Sequence, residues 1–155
     1  MKNNVQTVQD KLARLGFDYK VVELPDSTHT AVDAANALSC QVAQIAKSII
    51  FKTKNTNQAI LVIASGINRI NEGRLAEYIS EPIEKADADF VLEKTGFVIG
   101  GVPPLGHISP IKTFIDQDLM QYDEIWAAAG SARAVFKLKP EDLFKMTNGK
   151  TVLIE

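Results

Sequence analysis

The chain contains one cysteine, which excludes an internal disulfide framework and any cysteine-rich zinc site, since both need several thiols. Its two histidines cannot fill a zinc site unaided. There is no excess of basic charge. Lys and Arg number 17 against 19 Asp and Glu, for a formal charge of -2, so no overall positive field advertises DNA or an anionic membrane, and any RNA contact must be local. Long apolar runs are missing too: the longest, Ala59 to Ala64, is far shorter than a signal h-region or a membrane span, and the first ten residues are polar. These absences point to a cytoplasmic protein. What is present, 155 residues of which 46% are hydrophobic and 23% charged, matches one domain spanning residues 1–155, without repeat, linker or low-complexity segment.

Val5, Val8, Leu12 and Leu15 recur at helical spacing before Gly16, predicting an amphipathic first helix. Tyr19 to Leu24 reads as a strand closed by Pro25. Thr30 and Asp33 have the form of a capping box opening a helix over Ala31 to Leu38, and Ser39 is positioned to cap a further short helix through Ala46. Lys47 to Lys54 and Gln58 to Ser65 read as a hairpin around Asn55-Thr56-Asn57. Helices are predicted over Asn71 to Ile79 and Ala86 to Thr95, the latter stopped by Gly96, followed by a Gly/Pro-rich loop from Gly100 to Pro110. Strands follow at Ile111–Ile115, Glu124–Ala128 and Ala134–Leu138, then a short helix from Pro140 to Met146 and a last strand at Thr151–Ile154. Hairpin-like pairs alternate with helices and no regular βαβ period appears, so the fold class is α+β with a mixed, mainly antiparallel sheet.

Lys47 lies in one of the most apolar stretches of the chain, Ile45-Ala46-Lys47-Ser48-Ile49-Ile50-Phe51. The period of two places Lys47 on one strand face with Ile49 and Phe51. A cation there either snorkels to solvent or reaches into a polar cleft as the floor of an anion or carbonyl site. The segment Gly100-Gly101-Val102-Pro103-Pro104-Leu105-Gly106-His107 is too irregular for a helix and lacks dinucleotide-loop or P-loop spacing. It is either a rigid turn or a stiff ligand loop whose glycines admit close approach and whose prolines remove donors. His107 is an acid, base or ligand by chemistry, and without an evident acidic partner also a plain loop hydrogen-bonding group. Cys40 with His29 or His107 formally supplies a thiol and an imidazole, but its apolar setting marks it as a passive thiol. Gly130-Ser131 reads as a hairpin turn or a cleft wall, and Trp126 as a core residue.

Four segments in order carry a family resemblance: 30–35 (TAVDAA), 44–48 (QIAKS), 100–104 (GGVPP) and 123–130 (DEIWAAAG). From about Leu12 to Met146 the chain resembles the YbaK-type aminoacyl-tRNA deacylases, free-standing relatives of the editing domain inserted in bacterial prolyl-tRNA synthetases. The resemblance implies a strongly curved mixed sheet flanked by helices. It also implies hydrolysis of the ester between a wrong, small amino acid and the terminal adenosine of tRNA(Pro) or a related tRNA. The residues offer no credible Ser/His/Asp set, metal cluster or phosphate loop, so no metal or other cofactor is expected. Lys47 matches the active-site lysine and Gly101-Val102-Pro103-Pro104 the Gly-x-x-Pro loop of the aminoacyl pocket. By their own chemistry Gly100 adds a possible loop contact, and Val102 and Ile45 read as walls of a small, partly apolar pocket or as plain packing. Gly130 and Ser131 fall at a glycine-containing turn beside that pocket. Many members have a basic residue followed by glycine where this chain has Ala132-Arg133-Ala134, and His107 is similar to one subgroup only, so cysteinyl-tRNA is not assigned by default.

The expected chemistry has Lys47 stabilising the ester electrostatically, or acting as a base if burial lowers its pKa, while the Gly101 and Val102 amides orient carbonyl or water. The expected partners are the acceptor end of mischarged tRNA, through at most a local patch such as Lys52, Lys54, Arg69 and Arg74, and an aminoacyl-tRNA synthetase. The rival from another class is a non-catalytic module of the same fold that binds tRNA, nucleotide or a synthetase.

Overall fold

The computed structural model describes residues 4–26, 28 and 30–155. His29 therefore lies outside the described residues. Local chemistry accounts for most elements. Helix α1 (Asn4–Arg14) buries Val8 and Leu12, and the short strand β1 (Val21–Glu23) follows it. Helix α2 (Ala31–Leu38) starts where the Thr30 hydroxyl accepts the Asp33 N–H at 3.1 Å. Ser39 ends α2 in the left-handed conformation and does not open a new helix; a single 3₁₀ turn, Val42–Gln44, leads into strand β2 (Ile45–Thr53). That strand begins two residues earlier than its hydrophobic pattern suggests. It forms the expected hairpin with β3 (Ala59–Ser65).

Helix α3 (Glu72–Ile79) is capped by Asn71, and helix α4 (Ala88–Thr95) by Asp87, with Gly96 as its left-handed stop. Between them lies a strand that periodicity cannot detect, β4 (Ile83–Lys85), since three residues hold too little pattern. The remaining elements are β5 (Lys112–Asp116), a 3₁₀ turn over Gln117–Gln121, β6 (Ile125–Ala128), β7 (Ala134–Leu138), α5 (Asp142–Thr147) and β8 (Lys150–Val152).

All eight strands join one mixed sheet in the order β1-β7-β6-β2-β3-β5-β8, with β4 added against β2. Antiparallel ladders outnumber parallel ones by four to three. Strand alternation sorts the core into two faces. One carries Ala46, Ile50, Leu61, Ile63 and Ile115 under α1, α4 and the 97–105 loop. On the other, Phe51, Ile60, Val62 and Phe114 pack with Leu75 of α3, while Ile45 packs with Ala34 and Ala35 of α2. Among the described residues no helix is long and apolar enough to cross a membrane.

The sheet is interrupted at β2. Along one edge this strand pairs with β3 from Ala46 to Lys52. Along the other it pairs with β6 only at Ile45 and Ala46, and with β4 only from Phe51 to Thr53. Residues 47–49 are left with an open edge between two neighbours that run up to them from opposite ends.

Candidate active site

A cleft of about 490 Å³ occupies this interruption. Its floor is the Ile45–Ile49 segment of β2; its walls are the α2 N-terminus at Thr30–Val32, Trp126–Ala128 of β6, Ser131, and the loop residues Ile99, Gly100 and Val102. A side cavity of about 250 Å³ adjoins it between β2, β4 and α4, and shares Ser48, Ile49, Ile99, Gly100 and Val102 with the main cleft.

Lys47 is half-buried on the second sheet face, between Ile45 of the α2 cluster and Ile49 and Phe51 of the α3 cluster. It thus shares a face with core residues, as the period of two requires, in the interval where neither helix covers the sheet. Burial pushes its pKa down, and the cation of Lys85 on β4 pushes it down further. The buried carboxylate of Asp116 opposes both. Register explains this coupling: Lys47 pairs with Ala64, and Asp116 lies one residue beyond the Ile63–Ile115 pair of the β3–β5 ladder. Lys47, Ala64 and Asp116 therefore form a row across three strands, with an alanine between the charges. Asp116 also accepts the Ser65 N–H at 3.0 Å and the Asn68 side-chain amide at 2.8 Å, fixing the turn whose Gly66 walls the cleft.

The Gly-Pro loop and the Gly130 turn are locked backbone to backbone. The Gly130 N–H donates to Gly101 O at 3.0 Å, and a Cβ on Gly101 would lie 2.8 Å from the Ser131 Cα. A Cβ on Gly130, whose φ is +102°, would lie 2.7 Å from the Asn4 carbonyl oxygen. Close approach of backbone alone requires glycine at both positions. One expectation is corrected here: the Gly101 N–H donates to Val98 O at 3.0 Å, so it cannot also orient a carbonyl or water.

Of the residues named from sequence, the cleft brings together Lys47, Ile45, Gly100, Val102 and Ser131. Gly101 and Gly130 stand behind its wall as the joint just described. Pro103 and Pro104 are buried away from the lining. His107 is not brought to the cleft: it faces an outer groove with Lys11 and Gly106, and its ring nitrogen Nε2 lies 2.7 Å from Pro103 O. Burial lowers its pKa, which suits a neutral imidazole donating N–H to that carbonyl and bracing the loop. Cys40 packs beside the α2 cluster, outside the cleft, and burial raises its thiol pKa, so the site has no activated thiol there. Lys52, Lys54, Arg69 and Arg74 line neither cavity. Among the described residues no three His, Cys, Asp or Glu side chains gather to hold a metal ion.

Several lining residues escaped sequence reasoning. Trp126, expected in the core, is half-buried: it packs against the α2 cluster and also lines the cleft, with the Lys137 ammonium 5.8 Å from its ring centre. The β6 alternation, with Ile125 and Ala127 inward, turns Trp126 to the opposite face. Lys85 was hidden because β4 was hidden. Ser48 follows Lys47 directly and lines both cavities.

A half-buried lysine on the floor of a cleft, where a mixed α+β sheet is interrupted beside two interlocked glycine loops, defines the candidate site. The model of the aminoacyl-tRNA editing domain matches residues 25–146. The chain belongs to this family and is of the YbaK type, and its substrate is accordingly an aminoacyl-tRNA. It is 26% identical over 147 residues to YwhH of Bacillus subtilis (strain 168), a protein described as uncharacterized, covering 95% of this chain and 93% of that one. It is 25% identical over 122 residues to EbsC of Enterococcus faecalis (strain ATCC 700802 / V583), named as a proposed Cys-tRNA(Pro)/Cys-tRNA(Cys) deacylase, covering 78% of this chain and 74% of that one. A solved structure described as a proposed trans-editing enzyme for prolyl-tRNA synthetase superposes with a TM-score of 0.93 at 40% identity, over 100% of this chain and 98% of that one.

Proposed function

We propose that the protein hydrolyses, in trans and in the cytoplasm, the ester joining a small noncognate amino acid to the terminal adenosine of tRNA(Pro) or a related tRNA. The observation that carries this reading is the half-buried Lys47 on the floor of a cleft formed where β2 lacks a partner. Its ammonium meets the carbonyl oxygen as negative charge develops there. Water attacks the carbonyl carbon, the bond from that carbon to the ribose oxygen breaks, and a proton from the water passes to the ribose oxygen, leaving a free amino acid and a 3′-terminal hydroxyl.

A preorganised donor of this kind contributes about two to three powers of ten in rate. With Gly101 engaged, the loop amide best suited to orient carbonyl or water is that of Val102, a residue of the cleft wall. Lys85 supports binding of an anionic acceptor end, whereas a chain of net charge -2 gives few phosphate contacts and a shallow salt dependence. Nothing in these steps calls on a metal.

The test is deacylation of tRNA charged with Cys, Ala, Ser, Thr or Pro by wild type and by Lys47→Ala of matched melting temperature. Hydrolysis that depends on Lys47 and survives a chelator supports the reading. No hydrolysis across the panel overturns it in favour of a binding module.

A further inference from the structure

Among the described residues, the hydroxyl oxygen of Ser48 is the one buried side-chain polar atom without a hydrogen-bond partner. A buried hydroxyl normally finds a partner, and one left without is destabilising. Its place is specific. Ser48 lines both the 490 Å³ cleft, whose floor it shares with Lys47, and the 250 Å³ side cavity, where Ile50, Val91, Ile99 and Val102 are apolar neighbours and Lys85 the one charged residue. That cavity is otherwise mainly apolar, and the hydroxyl oxygen, itself enclosed, reaches an occupant of the cavity by rotation about the Ser48 Cα–Cβ bond.

The backbone leads to the same residue. The carbonyl of Ile50 accepts the Ala86 N–H at 3.2 Å, so the polar backbone groups of Ile50 point to the edge where β4 lies. Alternate residues of a strand send their N–H and C=O groups to the same edge. Those of Ser48 therefore face the interval that neither β6 nor β4 pairs. Lys47 and Ser48, being consecutive in a strand, put their side chains on opposite faces of that edge. An ester seated on the open edge has the lysine on one side and the serine hydroxyl on the other.

We infer that Ser48 selects the amino acid: turned about its Cα–Cβ bond toward the side cavity, its hydroxyl hydrogen-bonds a hydroxyl-bearing side chain of the aminoacyl group held there, so that seryl and threonyl esters are preferred over alanyl and 2-aminobutyryl esters. This rests on the deacylase reading above. The physical reason is asymmetric. An apolar side chain leaves the Ser48 oxygen buried and unpaired, whereas a hydroxyl satisfies it, and sites built around such a bond discriminate far more sharply than apolar pockets do.

The experiment measures kcat/KM for seryl-, threonyl-, alanyl- and 2-aminobutyryl-tRNA(Pro) with wild type, Ser48→Ala and Ser48→Thr, together with thermal melts. Serine and 2-aminobutyrate have nearly the same size, so their ratio reports hydrogen bonding rather than fit. Expected are a seryl preference of at least tenfold in wild type, its fall by at least tenfold in Ser48→Ala, and its retention in Ser48→Thr. Ser48→Ala is expected to melt no lower than wild type, because it removes an unpaired buried hydroxyl. The inference is overturned if wild type treats seryl and 2-aminobutyryl esters alike, or if the ratio is unmoved in folded Ser48→Ala. Lys47-dependent hydrolysis without a Ser48 effect would sink this inference alone, whereas no hydrolysis of any ester by wild type would sink the deacylase reading with it.

Discussion

Strand β2 consists of two halves with similar hydrophobicity and opposite fates. In the C-terminal half, Phe51 and Thr53 are 0% and 1% exposed, and residues 51–53 have β4 on the edge away from β3. In the N-terminal half, Lys47, Ser48 and Ile49 have a neighbour on one edge only and remain partly accessible. An unpaired stretch of sheet inside a domain leaves backbone groups without partners and room for a ligand, so binding chemistry collects there. The paired half supplies stability; the open half supplies the floor of the candidate site. Each half can be disturbed separately.

The largest expected effect is in the open half. Lys47→Ala should reduce deacylation kcat/KM by about 10²–10³-fold, the worth of one preorganised electrostatic donor, with little change in melting temperature. Single-turnover assays with calorimetry check both statements. The paired half should respond the other way: Phe51→Ala leaves a cavity in a fully buried cluster and should lower stability by about 3–5 kcal/mol, with the remaining folded protein still active. Denaturant titration reads that loss.

Gly101→Ala tests the joint between the two loops. A Cβ placed 2.8 Å from the Ser131 backbone forces the loops apart, and a loss of about 1–3 kcal/mol in stability is expected together with a drop in activity, since Ser131 and Val102 wall the cleft.

A smaller effect sharpens the electrostatics of the open half. If protonated Lys47 is the working form, activity falls as pH rises through its pKa, which burial and Lys85 set below the ordinary lysine value. Removing the Lys85 cation by Lys85→Ala relieves repulsion, raises the Lys47 pKa and moves the alkaline limb to higher pH. Neutralising the attractive carboxylate by Asp116→Asn does the reverse and moves the limb lower. A rate that instead climbs with pH through this range, and loses that climb in Lys47→Ala, would make the amine a general base. The same depression has a sign for folding. The unfolded chain holds the Lys47 proton more tightly than the folded one, so between the folded and unfolded pKa values stability rises with pH from this group. The smallest effect belongs to the thiol: Cys40→Ser should leave turnover within about twofold, because Cys40 lies outside the cleft with its pKa raised.

Much of this was legible in the residues because its causes are local. Thr30 and Asp33 announce the start of α2 through one hydroxyl-to-amide bond, and Gly96 the end of α4 through a left-handed backbone. Lys47 is conspicuous because a charge in an apolar strand needs a reason, and Gly100-Gly101 because a glycine pair beside two prolines needs one too. What could not be read depends on partners distant in sequence. Ser48 looks like an ordinary strand serine until β6 and β4 are seen to stop on either side of it. Lys85 and Trp126 look like surface and core until their strands are placed against β2. His107 stands three residues from Pro104 yet turns to an outer groove, since a loop's direction depends on its packing and not on its spacing.

The sequence by itself determined the α+β class, most of the elements and two segments that line the cleft, because hydrophobic periodicity, caps and glycine placement act over a few residues. Only the tertiary structure decided where the sheet opens, which glycines line the cleft and which interlock, and that the Ser48 hydroxyl is buried without a partner in the protein. Those properties belong to pairings between segments far apart along the chain, and an unpaired edge becomes visible only when every strand that could have filled it has been placed elsewhere.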